Sequence, residues 1–247
     1  IDSALELCTL TDDWDDAAKF RWNIEVIWPL KQWLRTRPAA AREELKRRIA
    51  EGRIEAHALP FSMHTEAYSM DELARQLELA GELRRDYGIE IVSAMQTDVP
   101  GATIGLSTLL TDAGVKYFCV AHNYAGRSVP FLNDGQELTR PFYWEAPDGE
   151  KLLVWYTDTL FGIAYMEAMV LGFGSGYDDV LSSLPEYLNA LVQRPYPYGE
   201  GDWLGGNLAG AELTKTPYAY DVLHLRVQGA FADNSYPSLI PSEIARV

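Results

Sequence analysis

Cysteine, histidine and positive charge are all scarce in this chain of 247 residues. Its two cysteines, Cys8 and Cys119, are too few for a disulfide framework and match no zinc motif. We therefore expect both of them to be small apolar side chains buried in the core. Lysine and arginine number 21 against 36 aspartates and glutamates, which gives a formal charge of −15. Such a surface repels phosphate backbones and anionic lipid headgroups. The composition argues against nucleic-acid and membrane partners, whereas a neutral substrate such as a sugar is compatible with it.

Long apolar runs and internal repeats are also absent. No stretch of 18 apolar residues occurs, so we expect no transmembrane helix, and no signal peptide is visible. With 47% hydrophobic residues the chain can bury one substantial core, and we predict a single domain over residues 1–247. Because the chain begins at Ile1 and ends at Val247 in a predicted helix start, we interpret it as a piece of a longer protein. The pattern indicates neither an oligomeric state nor a compartment.

Apolar periodicity and turn residues predict alternating strands and helices in the first half of the chain. Ser69 and Glu72 form a capping box at the start of one helix, and Gly88 ends that helix. Alternating elements with short connections favour a parallel sheet or barrel flanked by helices. The predicted strands cover residues 19–27, 53–61, 89–96 and 115–120, and the predicted helices cover residues 28–33, 39–51, 70–87 and 106–113.

The second half of the chain begins with a predicted β-hairpin. Strands at 142–145 and 152–156 flank a Pro-Asp-Gly turn at 147–149. An amphipathic helix at 180–192 and a last strand at 222–227 follow. No linker is long or polar enough to separate domains, so we predict one α/β domain.

Charged side chains follow three of the predicted strands. His64 and Glu66 follow the second strand, Asp98 ends the third, and Asp233 follows the last. In α/β folds, active residues lie on loops beyond the carboxyl ends of parallel strands. Each residue has an ordinary structural explanation when taken alone, such as turn chemistry before Pro100 for Asp98. Because these residues end successive strands, we expect them to converge on one pocket.

Several short motifs occur in a fixed order: Gly52-Arg53-Ile54-Glu55, Glu66, Gln76-Leu77, Thr97-Asp98-Val99-Pro100-Gly101, Gly114-Val115-Lys116-Tyr117 and Phe142-Tyr143-Trp144-Glu145-Ala146-Pro147-Asp148-Gly149. In order and spacing they resemble the central block of family 38 glycoside hydrolases, the α-mannosidase family. The resemblance covers residues 18–160 well and residues 181–247 loosely. The chain thus resembles a divergent N-terminal catalytic domain of this family.

This resemblance implies a seven-stranded β/α barrel of the glycoside hydrolase and deacetylase type, and a retaining mechanism on α-mannoside-like carbohydrates. In that family, the aspartate at the position of Asp98 is both the nucleophile and a zinc ligand. The second carboxylate should lie about 5–5.5 Å away and act as general acid and then as base. Asp233 is our candidate for it. We expect Glu66, with His64 beside it, to contact the substrate.

The zinc shell that the resemblance implies is incomplete in this chain. The family's His-x-Asp motif, on a first barrel strand, should precede Ile1, and the remaining zinc histidine should follow Val247. The chain has four histidines: His57, His64, His122 and His224. None of them stands where the family has a zinc ligand. Since zinc needs three or four protein ligands, we expect Zn²⁺ in the full-length protein, with Asp98 as the one ligand here. We expect the piece alone to be an incomplete barrel and inactive.

Aromatic residues are candidates for a carbohydrate site, because their faces can stack on the apolar C–H surfaces of sugars. Our candidates for substrate contact are Trp144 in the hairpin and Tyr236 in the last loop, with Tyr156 and Trp203 as further aromatic residues. Packing in the core or in the hairpin is the alternative for each of them.

Two other functions are compatible with the sequence. A polysaccharide deacetylase-like hydrolase uses a related barrel and a metal-activated water, and Thr11-Asp12-Asp13 imitates its early Asp-Asp pair. No His-x-x-x-His pair follows, which ranks this alternative lower. A catalytically silent carbohydrate-binding relative would keep the aromatic loops and lose the zinc shell. The order of the motifs places the glycosidase first.

Overall fold

The computed structural model describes residues 1–99, 101–122, 141–156, 176–193 and 237–246. The helices within these residues are α1 (Asp2–Leu10), α2 (Trp28–Thr36), α3 (Ala39–Ala50), α4 (Met70–Tyr87), α5 (Ile104–Asp112), α6 (Tyr177–Gln193) and α7 (Ile240–Ile244). The strands are β1 (Trp22–Ile24), β2 (Ile54–Ala56), β3 (Ser93–Val99), β4 (Tyr117–His122), β5 (Phe142–Glu145) and β6 (Lys151–Tyr156). None of the helices in these ranges is long and apolar enough to cross a membrane.

Parallel strands follow one another in the sheet in the order in which they occur along the chain. β1 pairs with β2, and β4 pairs with β3 on one side and β6 on the other. A parallel bridge between His57 and Ser93 connects the end of β2 to β3. β5 runs antiparallel to β6 and forms the predicted hairpin with it. This order confirms the α/β class and is typical of the wall of a β/α barrel. The described strands form a two-stranded and a four-stranded sheet and do not close into a barrel, so the seven-stranded barrel stays a prediction.

One face of the sheet forms the hydrophobic core together with the helices. In β2, Ile54 and Ala56 are buried, whereas Glu55 between them is exposed. β4 repeats this alternation, with Phe118 and Val120 buried. Successive side chains of a strand point to opposite faces, so one face is apolar and the other carries polar groups. The helices contribute many residues to the same cluster, among them Leu30, Leu34, Leu45, Leu73, Leu77, Leu83 and Leu110.

Helix α4 begins and ends where the sequence predicts. The hydroxyl oxygen of Ser69 accepts the backbone N–H of Glu72, and the Glu72 carboxylate accepts the backbone N–H of Ser69 at 2.8 Å. This reciprocal pair satisfies N–H groups that no helical carbonyl reaches. Gly88 closes the helix in the left-handed conformation with φ 66°, which glycine adopts without steric cost. The capping box therefore fixes where the loop after β2 ends.

Two buried arginines attach α1 to α3 and β2. Arg48 of α3 is only 1% exposed, and its Nη2 donates to Asp12 Oδ2 at 2.7 Å. Arg53, just before β2, donates to Asp12 Oδ1 at 3.2 Å and to the carbonyl oxygen of Cys8 at 3.0 Å. The hydrogen bond from Arg48 is the main cause that lowers the pKa of Asp12 from 3.8 to about 2. These contacts hold the N-terminal helix against the sheet.

Local details of the fold differ from the sequence predictions. No helix was predicted at the position of α1. β3 begins and ends later than the predicted strand at 89–96, because Ile89 and Ile91 are buried before the strand and do not pair in it. In α3, Arg48 is more fully buried than Ile49 of the predicted apolar stripe. Neither cysteine is in a disulfide: Cys8 is buried as predicted, and Cys119 is half-buried. The strand predicted at 222–227 lies outside the described residues.

Candidate functional site

Asp98 lies at the carboxyl end of β3 in an unusual backbone conformation. Its φ is 59°, and it is the only non-glycine residue with positive φ in the described part of the chain. The pairing of β3 with β4 shifts its register between Thr97 and Val99, so Asp98 is the extra residue of a β-bulge. Aspartate tolerates this region better than most residues, and such conformations concentrate at functional sites. The bulge sets Asp98, which is half-buried, apart from the strand's regular alternation.

Hydrogen bonds join the carboxyl end of β3 to the ends of β2 and β1. The backbone N–H of Thr97 donates to Ser62 Oγ at 3.4 Å, and Ser62 Oγ donates to Glu25 Oε1 at 3.1 Å. Glu25 directly follows β1, and Ser62 lies in the loop after β2. Glu25 is not among the site residues predicted from the sequence, although it follows a strand, the same feature that indicates Asp98. The residue before Asp98 is thus tied to a second carboxylate through one hydroxyl.

The loop after β2 is fastened to β3 and to the loop after β3 at two further points. Gln96 of β3, which is fully buried, donates through Nε2 to the carbonyl oxygen of Met63. The backbone N–H of Thr103 donates to Thr65 Oγ1 at 2.9 Å. These contacts bring the two segments together, and the convergence of the His64, Glu66 and Asp98 side chains on one pocket stays a prediction.

Two buried hydroxyls flank the Asp98 loop. Thr97 Oγ1 and Thr103 Oγ1 have no hydrogen-bond partner among the described residues, and the same is true of Gln96 Oε1. A buried polar atom without a partner costs about 1–3 kcal/mol, so native proteins rarely keep one without a reason. Polar atoms of this kind on both sides of Asp98 are suited to receive a polar ligand or water.

His64 and Glu66 lie on the loop after β2, as the sequence predicts. His64 Nδ1 and Glu66 Oε1 are 3.6 Å apart, and the two side chains are 57% and 52% exposed. The pair carries an attraction only when His64 is protonated. Glu66 belongs to a short 3₁₀ turn, Thr65–Ala67, whose first residue also accepts the Thr103 N–H. Both side chains are therefore available to a ligand at this edge.

The other predicted site residues are not brought to Asp98 by the described part of the chain. Trp144 pairs with Leu152 near the start of β6, and its ring stacks on Phe118 at 6.3 Å with an interplanar angle of 24°. This places the half-buried Trp144 against the hydrophobic core, which is the packing alternative raised for it. Asp233 and Tyr236 lie outside the described residues.

A separate cleft of about 380 Å³ opens on the face of the sheet opposite the core. Its lining includes Glu55, His57, Ser93, Cys119 and Trp155. The hydroxyl of Ser93 donates to the Glu55 carboxylate, and His57 Nε2 lies 3.9 Å from Glu55 Oε2. None of Asp98, Ser62 and Glu66 lines this cleft, so it is distinct from the site around Asp98.

The described residues do not form a complete zinc site. Among them, no three side chains of His, Cys, Asp or Glu lie close enough together to hold a metal ion. Zinc requires three or four protein ligands, whereas the sequence assigns only Asp98 to such a site within this chain. Zinc therefore stays a proposal.

The early acidic pair that suggested a deacetylase-like site is occupied by a structural contact. Asp12 follows α1 and accepts hydrogen bonds from Arg48 and Arg53, the second of which lies just before β2. That position is at the amino end of the parallel strands, whereas Asp98 is at the carboxyl end of β3. A carboxylate already bonded to two arginines is a poor metal ligand, which counts against the deacetylase alternative.

Parallel strands in sequential order with helices between them define an α/β protein, a class whose active sites lie at the carboxyl ends of the strands. Residues 1–182 match the family described as "Glycosyl hydrolases family 38 N-terminal domain". This match covers most of the chain, so the chain belongs to glycosyl hydrolases family 38. The family resemblance predicted from the short motifs is confirmed.

The fold is similar to that of solved structures. A 4-alpha-glucanotransferase from Thermococcus litoralis is 19% identical, with a TM-score of 0.51 over 75% of this chain and 26% of that chain. An alpha-mannosidase from Enterococcus faecalis V583 is 12% identical, with a TM-score of 0.50 over 76% of this chain and 20% of that chain. The chain therefore spans only a small part of either protein, and these likenesses concern the fold alone. A comparison with curated protein sequences found no match.

Proposed function

We propose that this chain carries the nucleophile of a retaining glycoside hydrolase that acts on α-mannoside-like carbohydrates. The observation that carries the proposal is the half-buried Asp98 carboxylate, held in a left-handed bulge at the carboxyl end of a parallel strand of a family 38 chain. A carboxylate is a suitable nucleophile for an anomeric carbon, because it can form a glycosyl ester that water then hydrolyses.

The reaction requires two carboxyl groups. Asp98 attacks the anomeric carbon while a protonated carboxyl group delivers its proton to the departing glycosidic oxygen. The same group then removes a proton from the water that hydrolyses the glycosyl-enzyme. We propose Asp233 for this role, from its place after the last predicted strand. Glu66 and His64, both exposed on the neighbouring loop, would bind sugar hydroxyls. Tyr236 and Trp144 stay the proposed aromatic contacts, of which Trp144 has the weaker support because its ring packs on Phe118.

The bonds around Asp98 supply its positioning. Thr97 is held to Ser62, and Ser62 to Glu25, so the bulge is fixed from two neighbouring strands. A nucleophile gains from such fixation, because the reacting atoms must be aligned before the chemical step. We further propose that Asp98 supplies one ligand of a zinc site in the longer protein.

A substrate without negative charge suits the composition. The chain carries a formal charge of −15, and three carboxylates lie at or beyond the carboxyl ends of β1, β2 and β3: Glu25, Glu66 and Asp98. Phosphorylated or otherwise anionic ligands would be repelled there. Neutral sugars, whose hydroxyls donate to carboxylates, are compatible with this edge.

The test is hydrolysis of α-mannosyl fluoride by the intact protein and by its Asp98→Asn variant. The fluoride is chosen because its small leaving group needs no acid assistance or extended binding site. We expect activity that the variant lacks, together with a lower zinc content of the variant measured by elemental analysis. Activity that survives Asp98→Asn would exclude Asp98 as the nucleophile. Sugar binding without hydrolysis of any glycoside in a panel would identify the protein as a catalytically silent carbohydrate-binding relative.

A further inference from the structure

Exposed apolar side chains concentrate beyond the carboxyl ends of β1, β2 and β3. Five of them lie there: Phe61 and Tyr68 in the loop after β2, and Trp28, Met70 and Ile104 as the first residues of α2, α4 and α5. The remaining large exposed apolar side chains of the described residues are spread over α1, β4, β5 and α6. Soluble domains seldom gather such side chains on one edge without a ligand for them. The edge that holds Asp98 is therefore also an apolar binding surface.

Trp28 and Phe61 form the best defined part of this surface. Their ring centroids are 6.2 Å apart with an interplanar angle of 35°, and the residues are 48% and 45% exposed. The backbone under both rings is fixed, because Ile27 N–H donates to the Leu59 carbonyl at 3.0 Å and Trp28 N–H donates to the Pro60 carbonyl at 3.4 Å. The ring of Trp28, at the start of α2, and the ring of Phe61, in the loop after β2, are thus held side by side before any ligand arrives.

Polar groups that could bind hydroxyls lie next to the rings. Ser62 follows Phe61 in sequence, and its hydroxyl bonds to Glu25, three residues before Trp28. The same hydroxyl accepts the N–H of Thr97, the residue before Asp98. A short series of contacts therefore connects the aromatic pair to the proposed nucleophile. Aromatic rings beside a carboxylate and a hydroxyl match a pyranose, which has apolar C–H faces and a polar rim.

We propose that Trp28 and Phe61 form an aromatic platform that stacks on a pyranose ring of a neutral oligosaccharide, at a subsite beside Asp98. The inference rests on the proposed glycosidase function for its substrate class, and it adds a binding site for a sugar other than the one attacked. Glu25 and Ser62 bind hydroxyls at the rim of the stacked ring. Neither Trp28 nor Phe61 takes part in bond cleavage.

The test uses the intact protein with Trp28→Ala, Phe61→Ala and the ring-preserving Trp28→Tyr. Isothermal titration with α-linked mannotetraose measures binding to the platform in an Asp98→Asn background, which cannot cleave the ligand. Hydrolysis of α-mannosyl fluoride, which is too small to reach the platform, measures the chemical step in the Asp98 protein. We expect each alanine variant to weaken mannotetraose binding about threefold to tenfold. We expect Trp28→Tyr to keep most of the affinity, and all three variants to hydrolyse the fluoride with unchanged KM and kcat.

Tyr117→Ala is the matched control. Tyr117 is 50% exposed, close to the exposure of Trp28, but it lies at the start of β4, the opposite end of the sheet. Unchanged mannotetraose affinity in both alanine variants, or no mannotetraose binding at all, would overturn the platform. A protein that binds mannotetraose through Trp28 but hydrolyses neither substrate would keep the platform and refute the glycosidase. If the protein hydrolyses the fluoride and Trp28→Ala leaves the affinity for mannotetraose unchanged, the glycosidase is kept and the platform is refuted.

Discussion

The hydroxyl of Ser62 donates to Glu25 Oε1 at 3.1 Å, and this one bond joins the loop after β2 to the end of β1. The same oxygen accepts the Thr97 N–H at 3.4 Å, so the ends of three consecutive strands meet at a single hydroxyl. A small side chain that serves as both donor and acceptor fixes its neighbours without filling the space that a ligand needs. The position of Asp98 therefore depends on a residue with no role in the chemistry.

Ser62→Ala should reduce catalysis more than it reduces stability. Loss of the hydroxyl frees the Thr97 N–H and lets the bulge move, so we expect kcat/KM for α-mannosyl fluoride to fall about tenfold or more. The free energy of unfolding should fall by only about 1 kcal/mol. Ser182→Ala is the control, because Ser182 is exposed on α6 and donates to the Asp179 carbonyl. A Ser62→Ala protein that loses stability and keeps full kcat/KM would contradict the positioning role.

The backbone at Asp98 should determine which substitutions are tolerated. A residue with φ 59° is strained unless it is glycine, asparagine or aspartate. We expect urea unfolding to place Asp98→Ala about 1 kcal/mol below Asp98→Gly, with Asp98→Asn close to the natural protein. At Glu78, exposed in the middle of α4, the order should reverse, with glycine less stable than alanine by about 1 kcal/mol. The same order at both positions would argue against the left-handed bulge.

Acid should remove the stabilisation that Asp12 provides. The Arg48 guanidinium lowers the pKa of Asp12 from 3.8 to about 2 in the folded chain. The ionised carboxylate therefore contributes its full stabilisation at pH values above 3.8, the pKa in the unfolded chain. That stabilisation is lost as the pH falls from about 4 to about 2. Since the Asp12 side chain is 39% exposed, solvent screening limits the effect to about 1 kcal/mol.

The measurement is urea unfolding between pH 5 and pH 2 for the natural protein, Asp12→Asn and Asp13→Asn. Asp12→Asn should be less stable at pH 5 and should lose less stability on acidification. Asp13 is the exposed neighbour, and its variant should follow the natural protein. If the free energy of unfolding falls with pH in parallel for the natural protein and Asp12→Asn, the acid-labile stabilisation does not come from Asp12.

Arg48 and Arg47 offer a matched pair in adjacent positions of α3. Arg48→Ala leaves Asp12 without its main partner and empties a buried site, so we expect a loss of about 3 kcal/mol in the free energy of unfolding. Arg47 pairs with Glu44 at 2.6 Å and Glu51 at 2.7 Å, but its side chain is 50% exposed. Arg47→Ala should therefore cost less than about 1 kcal/mol. Equal losses would show that burial does not decide the strength of these ion pairs.

Local signals in the sequence predict the parts of the fold that local physics decides. The capping box at Ser69 and Glu72 and the glycine at Gly88 give the bounds of α4 as the structure has them. The Pro-Asp-Gly turn predicts the hairpin, and Gly149 has φ 92° within it. In each case a few neighbouring residues determine the conformation, so a short window contains the information.

Features that depend on contacts between distant residues could not be predicted in this way. The burial of Arg48 requires Asp12, which lies 36 residues earlier, and an arginine in a helix otherwise indicates an exposed face. The pairing of Trp28 with Phe61 arises only because β1 and β2 are neighbours in the sheet. The bulge at Asp98 likewise becomes visible only in the register between β3 and β4. The sequence could select Asp98, but not the backbone that holds it.

The order of the parallel strands also bears on how the protein is made. β2 pairs with β1, β4 pairs with β3, and β6 then pairs with β4, while one bridge between His57 and Ser93 joins the first pair to the second. Chains leave the ribosome from the N-terminus, at about 5–20 residues per second. Each parallel strand can therefore dock on an edge that is already formed, and only β5 must wait for the strand that follows it, β6. Assembly can keep pace with translation, because each arriving parallel strand covers the edge that the previous one left open.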